Sequence, residues 1–410
     1  MSESSAAVAV ETVARESYSR LIAYLAARAD GDLTAAEDAM SEAFLAALLQ
    51  WPVDGIPNNP DAWLLQIARR KLVDSQRRSH TRRKGQETIL HALETAETEI
   101  QTGHEFPDER LKLLFVCAHP AIDPSARAPL MLQTIFGMDA GRIAGIFLTS
   151  PSNMSQRLVR AKTKIRAARI PFRIPERPEW NERVGCVLDA VYAAYTAGRN
   201  SCGTMEDPLP EEALWLARAI VYLMPDEPEA LGLLSLILHN HARRDARVVG
   251  GKYVPLPEQE IRKWDRSMQE EAEMLLQRAS GLRCPGRFQL EAAIQSVHAA
   301  RAFTGYINWA AIAALYDALG TITPALGVAI GRAIAHAQMC GPEHGLMLLD
   351  QLPAPMLNDH LPYWAARAHL LAELRRRGEA LVAFDRAIGL CLDRVVKEYL
   401  LGRVRLITAE

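Results

Sequence analysis

Residues 139 to 169 read DAGRIAGIFLTSPSNMSQRLVRAKTKIRAAR, and this stretch predicts two helices joined by a tight turn. Asp139 is placed to cap a short first helix carrying Ile143, Ala144 and Phe147. Ser150 followed by Pro151 is a cap and first-turn signal for the second, so the turn falls at about Leu148 to Ser150. On the second helix Met154, Leu158, Ala161 and Ile165 repeat at helical spacing and face inward. Ser152, Asn153, Ser155, Gln156, Arg157, Arg160 and Lys164 are left outside. Small polar groups come first and cations follow. A recognition helix enters the major groove by its N-terminal end, where amides and hydroxyls meet base edges while later Arg and Lys residues meet phosphates. That order points to DNA; a solvated face on an ordinary amphipathic helix would show the same residues without it.

Upstream lies a second basic stretch, with Arg69, Arg70, Lys71, Arg77, Arg78, Arg82, Arg83 and Lys84. The net charge of −2 over 410 residues therefore hides basic and acidic blocks, which suit local polyanion-binding surfaces. A chain this long is expected to form about two to four domains. Abundant Ala, Leu, Arg and Glu with 6% aromatic residues predict an all-α fold. The six cysteines, at 117, 186, 202, 284, 340 and 391, show neither C-x-x-C spacing nor a disulfide framework, so reduced thiols in the cytoplasm are expected. No apolar run is long enough to span a bilayer, and no membrane role is expected.

Working outward, residues 1 to about 10 read as frayed. A helix pattern follows through Val13, Tyr18, Leu21, Ile22 and Leu25. A second helix, about Thr34 to Leu49, repeats Ala36, Ala39, Met40, Ala43, Phe44 and Leu48 and carries Glu37, Asp38 and Glu42 on another face. The loop WPVDGIPNNP holds Asp54, Asn58 and Asn59, and Asp61 is the expected cap of the helix that starts at Ala62. Glu87, Glu94, Glu97, Glu99, Glu105 and Asp108 mark an acidic linker. Helices are expected at Leu111–Cys117 and Ala126–Phe136, and Pro171, Pro175 and Pro178 mark a boundary. Beyond it the pattern is helical hairpins, at Arg183–Ala197, Pro210–Met224, Glu229–Ala242 and Pro257–Ala279 and onward. Ala380, Phe384 and Ala387, with Gly345, Leu349 and Leu352, hint at tetratricopeptide-like (TPR-like) spacing.

The ordered stretches AEDAMSEAFLAAL (36–48), NPDAWLLQIARRKLVDSQRR (59–78) and IAGIFLTSPSNMSQRLVRAKTKIRAA (143–168) resemble bacterial RNA polymerase sigma factors of the extracytoplasmic-function (ECF) type. FPDERLKLLFVCAHPAI, LMPDEPEALGLLSLILHNHARRDAR, IRKWDRSM, PGRFQLEAAIQSVHA and NWAAIAALYDAL resemble the subgroup with a TPR-like extension. The resemblance implies region 2 over 10–84, an acidic linker over 85–107, region 4 with its helix-turn-helix over 108–175, and the extension over 179–410.

It further implies core RNA polymerase and promoter DNA as partners, with contacts to the largest-subunit clamp helices and the flap. A protein partner or ligand is implied for the extension. Asp38, Glu42, Phe44 and Leu45 would grip the clamp, although Phe44 also reads as core. Asp54, Asn58 and Asn59 would capture a flipped minus-ten base, whose exposed pairing edge suits amide and carboxylate groups. Trp63 reads either as a stacking platform or as core. Arg69, Arg70, Lys71, Arg77 and Arg78 would follow the melting strand. Ser152, Asn153, Ser155, Gln156 and Arg157 would read the minus-thirty-five element, with Arg160 and Lys164 on its backbone.

The chain departs from the family at Ser41, where Gln is usual, at Arg142, where Glu is frequent, and at VYAAYTAGRNS (191–201), where an FNEGY-like string is favoured. Gly141 and Gly145 each cost their helix up to ~1 kcal/mol relative to Ala. No enzyme activity, cofactor or metal is expected: His119 beside Cys117 lacks further ligands. His239, His241, Arg243, Arg244 and Arg247 with Trp264 and Asp265 suit either an anion pocket or a salt-bridged helix end. The alternative for the whole chain is a ligand- or partner-sensing helix-turn-helix regulator that works without core polymerase.

Overall fold

The computed structural model describes residues 3–80, 108–199, 207–353 and 357–409. They form helices and one two-stranded hairpin, divided between two compact units, Met1–Ala194 and Tyr195–Glu410. The all-α expectation holds. The division falls inside a helix, beyond the proline-marked boundary.

The first unit contains α1 (Glu3–Glu16), α2 (Tyr18–Arg28), α3 (Leu33–Asp54), α4 (Pro60–His80), α5 (Arg110–Cys117), α6 (Pro124–Thr134), α7 (Ala140–Ile146), α8 (Pro151–Ala168) and the start of α9 (Val184–Arg199). The N-terminal segment is helical where fraying was expected. Ala6, Val10 and Val13 form a buried stripe at helical spacing that packs on α3, and this tertiary burial holds the helix. In α2, Leu21, Ile22 and Leu25 are buried together with Ala23, Tyr24 and Ala26, so it is the central helix of its neighbourhood.

The acidic helix α3 runs past its expected end at Leu49, through Pro52, to Asp54. Trp51 is buried beneath that last turn and meets Trp63 edge-on at 5.5 Å, which anchors the extra turn despite the missing proline N–H. Gly55, at φ +94, stops the helix and donates its N–H to the Trp51 carbonyl at 3.1 Å. Asp54 is thus a helix-end residue rather than a loop residue. The cap of α4 also shifts: Asn59 Oδ1 accepts from Ala62 N–H at 3.1 Å. Asp61, the expected cap, instead accepts from Ser17 Oγ at 2.8 Å and Arg20 Nη2 at 3.0 Å, tying α4 to the start of α2.

The second unit continues with α10 (Leu209–Leu223), α11 (Pro228–His241), β1 (Val248–Val249), β2 (Lys252–Tyr253), α12 (Arg266–Gly281), α13 (Arg287–Ala299), α14 (Trp309–Ile322), α15 (Leu326–Cys340), α16 (Pro342–Asp350), α17 (Leu361–Glu373), α18 (Arg377–Leu390) and α19 (Arg394–Ala409). Every residue of α11 from Ala230 to His241 is buried, and the helix packs between α12 and α13. A helix over Pro257–Ala279 was expected, but it begins only at Arg266, capped by Asp265, whose Oδ1 accepts from Met268 N–H at 3.0 Å. Before it runs a hairpin the composition did not announce. Gly250 and Gly251, at φ +57 and +74, form its two-residue turn between the pairs Val249–Lys252 and Val248–Tyr253. Further on, Ala380, Phe384 and Ala387 of α18 are fully buried against α17. Gly345 of α16 permits a close approach, because a Cβ there would lie 2.6 Å from Ala337 Cβ.

Candidate functional site

The helix pair α7–α8 forms where the sequence placed it. Asp139 Oδ1 accepts from Arg142 N–H at 2.9 Å, and Ser150 Oγ accepts from Asn153 N–H at 3.2 Å, so each helix has a side-chain cap. Leu148, at φ +49 and fully out in solvent, forms the tip of the turn between them. Met154, Leu158, Ala161 and Ile165 are buried. Ser152, Asn153, Ser155, Gln156, Arg160 and Lys164 are exposed. Arg157 is half-buried and donates from Nη1 to the Ser125 carbonyl at 3.2 Å, which ties α8 to α6. Ser155 Oγ donates to the Pro151 carbonyl at 2.9 Å, leaving its oxygen as an acceptor for a ligand.

The second face lies on α3 and α4, which pack against each other. Asp38, Glu42 and Leu45 of α3 are exposed. Phe44 is half-buried with its ring stacked on Tyr18 at 6.2 Å, so it supports the fold more than it offers itself. Leu48, expected in the core, is exposed. With Leu45, Leu49 and Val53 at 58%, 67% and 83% exposure, it completes an apolar strip running along α3 beside the acids. Residues 45, 49 and 53 stand four apart, and this spacing was legible in the sequence. It was overshadowed by the other apolar stripe, which does form the core. A contiguous apolar strip on a surface helix is a candidate interaction face.

On α4, Arg70 is exposed, whereas Arg69 is buried at 6% exposure. Lys71 Nζ pairs with Glu42 at 2.7 Å, so one expected strand-contacting cation neutralises one expected clamp-contacting acid. Both partners are half-exposed, and such a pair contributes at most about 1 kcal/mol and is easily exchanged for another partner. Trp63 is half-buried against Trp51, while Asn58 and Asn59 are exposed, with the Asn59 oxygen engaged as the helix cap. Asp54 is exposed at the end of α3. Arg77 and Arg78 lie on α4, but their side chains, like the acidic linker over 85–107, fall outside the described residues.

A contact that the sequence did not foretell joins the two faces. Lys162 of α8 reaches Glu37 of α3, with Nζ 2.7 and 2.6 Å from the two carboxylate oxygens, and only 11% of the lysine side chain is exposed. Arg166 approaches Asp32 at 3.7 Å. The cations of α8 thus divide: Arg160 and Lys164 face solvent, and Lys162 and Arg166 reach the acidic helix. Neighbouring Cys117 is buried 3.7 Å from Thr134 Oγ1, and burial pushes its thiol up to about 12, which makes it an inert core group. His119 Nδ1 accepts from Ala121 N–H at 3.1 Å as part of a turn. Among the described residues no helix is long and apolar enough to cross a membrane.

Comparison with known proteins adds the following. Residues 15–83 match the sigma-70 region 2 family. Residues 183–280 match a family of unknown function, DUF6596. Over 387 residues the chain is 35% identical to an uncharacterized protein of Rhizobium meliloti (strain 1021), covering 92% of this chain and 91% of that one. Over 149 residues it is 29% identical to a protein of Mycobacterium tuberculosis, in strains CDC 1551 / Oshkosh and ATCC 25618 / H37Rv, named a probable ECF RNA polymerase sigma factor, SigI; the match covers 36% of this chain and 51% of that protein. No solved structure matches the chain.

Proposed function

Because the chain belongs to the family of the Rhizobium meliloti protein and carries a sigma-70 region 2 at residues 15–83, we propose that it works as an ECF-type sigma factor whose α3 face docks on core RNA polymerase. The observation that carries this reading is the exposed strip Leu45, Leu49 and Val53 flanked by Asp38 and Glu42, all within the matched region. Apolar burial supplies affinity on docking, and the acids select a basic partner surface and speed encounter.

In this reading Arg70 and Lys71, with Arg77 and Arg78, follow the melted minus-ten strand. Asn58 presents an amide to an extruded base, and α7–α8 is the helix-turn-helix that reads the minus-thirty-five element through Ser152, Asn153, Ser155 and Gln156. Arg69 has a structural task instead, since its side chain is buried. The linker over 85–107 runs through the polymerase channel, and the second unit modulates activity. A sigma factor turns over no substrate.

The Lys162–Glu37 contact adds a requirement. Promoter elements centred about 25 base pairs apart lie roughly 80 Å apart along duplex DNA. Helix α4, packed on α3, and helix α8, held to α3 by Lys162, cannot reach both. The free chain is therefore a closed form, and polymerase docking on α3 separates the two faces by competing for its acids.

Run-off transcription with purified core polymerase and the full chain tests the proposal. Specific transcripts that need both components are expected. Tight, site-specific binding of promoter duplex by the chain alone, with no effect of added core enzyme, would instead favour the polymerase-independent regulator.

A further inference from the structure

In the second unit, buried hydrogen-bond donors gather about Trp264, and among the described residues no acidic group meets them. Arg243, just past the end of α11, is 7% exposed. Its Nη2 donates to Asn240 Oδ1 at 3.0 Å and to Gln295 Oε1 at 2.7 Å, both neutral amides. Arg301, just past α13, donates through Nη2 to the Gln259 carbonyl at 2.9 Å and through Nη1 to the Pro257 carbonyl. Both guanidiniums lie against the Trp264 ring, Arg243 at 5.9 Å and Arg301 at 5.2 Å from its centroid. The Asp265 N–H on the Ala242 carbonyl, at 2.8 Å, holds the Trp264 loop against the end of α11.

Four buried atoms at this place have no hydrogen-bond partner among the described residues: Arg243 Nη1, Arg301 Nε, Trp264 Nε1 and His298 Nδ1. Three are obligatory donors. The groups acting electrostatically on Arg243 are Arg199, Tyr195, Arg301 and Arg247, with no carboxylate among the described residues. Burial, then these guanidiniums, pushes Arg243 down to about 10, and burial with Arg243 and Arg301 pushes His298 down to about 4, so the imidazole is neutral at pH 7. Carboxylates occur nearby but serve other groups. Glu211 faces His241 and Arg244 at 3.7 and 2.9 Å, and Asp265 caps α12. The anion pocket considered from the sequence thus loses His241, Arg244 and Asp265 and gains Arg301 and His298.

A buried guanidinium whose neighbours are neutral or cationic is costly to keep, and a protein retains one where an anion completes it. We propose that Arg243, Arg301 and the Trp264 indole N–H form a binding site for a small oxyanion, a carboxylate or a phosphate. Guanidinium forks match the geometry of both, and the indole N–H supplies a further donor. Arg301, partly open to solvent, is the side from which the anion enters. This site needs no polymerase to act, so its test and the transcription test fail separately.

The test is thermal denaturation of the full chain at constant ionic strength, replacing chloride stepwise by inorganic phosphate or by acetate. A saturable rise in Tm with one or both oxyanions is expected, since a ligand bound only by the folded state stabilises it by mass action. Response to phosphate alone or to acetate alone identifies which oxyanion the site takes. Arg301→Gln should weaken the apparent affinity at least tenfold. Arg301→Lys, which keeps the charge but loses the fork, should fall between, so the test does not depend on a variant of buried Arg243 folding. Phosphate also stabilises proteins non-specifically. Equal Tm rises in the wild type and Arg301→Gln, or curves that match the chloride series, overturn the proposal.

Discussion

The two units use cations in opposite ways. On α8 of the first unit, Arg160 and Lys164 stand in solvent, free to meet a polyanion that arrives from outside. In the second unit Arg243 is sunk among Asn240, Gln295 and Trp264. Exposed charge is cheap to keep and makes binding that salt screens; buried charge is costly and makes binding that depends on fit. Between them stands Lys162, on the same helix as Arg160 and Lys164 but turned onto Glu37, where it serves the fold.

Acidification should separate the units most strongly. His239, His298 and His369 in the second unit are pushed down to about 3, 4 and 4 from 6.5, chiefly by burial and then by nearby arginines. Glu273 lies 3.4 Å from His239 Nε2, yet so depressed an imidazole is neutral at pH 7, and the contact is not an ion pair. Below pH 6.5 the unfolded chain takes up these protons and the folded unit resists them. Stability is therefore full above pH 6.5 and lost as pH falls from there toward 4, at about 1 kcal/mol per pH unit for each histidine. Urea unfolding at pH 7.0 and 5.5 measures this, and a second unit equally stable at both contradicts it.

Reversing the solvent-facing charges comes next. Arg160→Glu with Lys164→Glu should weaken promoter binding by the polymerase complex about a hundredfold and flatten its log–log salt dependence by about two. An unchanged salt slope would remove these residues from the DNA backbone. Within α8, Lys162→Glu should destabilise the first unit by about 1–2 kcal/mol, because it sets a second carboxylate beside Glu37, whereas Lys164→Glu should change stability by less than about 0.5 kcal/mol. Equal melting temperatures for the two would deny the division of roles. Last, Ser150→Ala removes the cap of α8 and should cost about 1 kcal/mol in denaturant unfolding.

The sequence disclosed what depends on neighbours along the chain. The caps Asp139 and Ser150, the inward set Met154 to Ile165 and the all-helical architecture followed from spacing and from local hydrogen-bond chemistry. What escaped it depends on partners distant in sequence. Trp51 carried α3 through a proline because Trp63 packs against it, and Asp61 gave up its capping role to hold Ser17 and Arg20. Leu48 looked like core because its spacing matched Ala43 and Phe44, yet burial of one helical stripe leaves the next one in solvent. Arg69 and Arg70 are adjacent and identical in type, and only the packing of α4 decides that one is buried and the other exposed. The glycine pair at 250–251 carries a legible hairpin-turn signal, although the flanking composition is helical.

In the proposed function, α3 grips core polymerase through its exposed apolar strip. Leu49, largely in solvent, can be changed to Asp with little effect on folding. The direct measurement is the affinity of the full chain and of Leu49→Asp for purified core enzyme at low salt. A stable complex with the wild type, weakened tenfold or more by Leu49→Asp at unchanged thermal stability, is the predicted result. No association of the wild-type chain, or equal affinity of both, would contradict it.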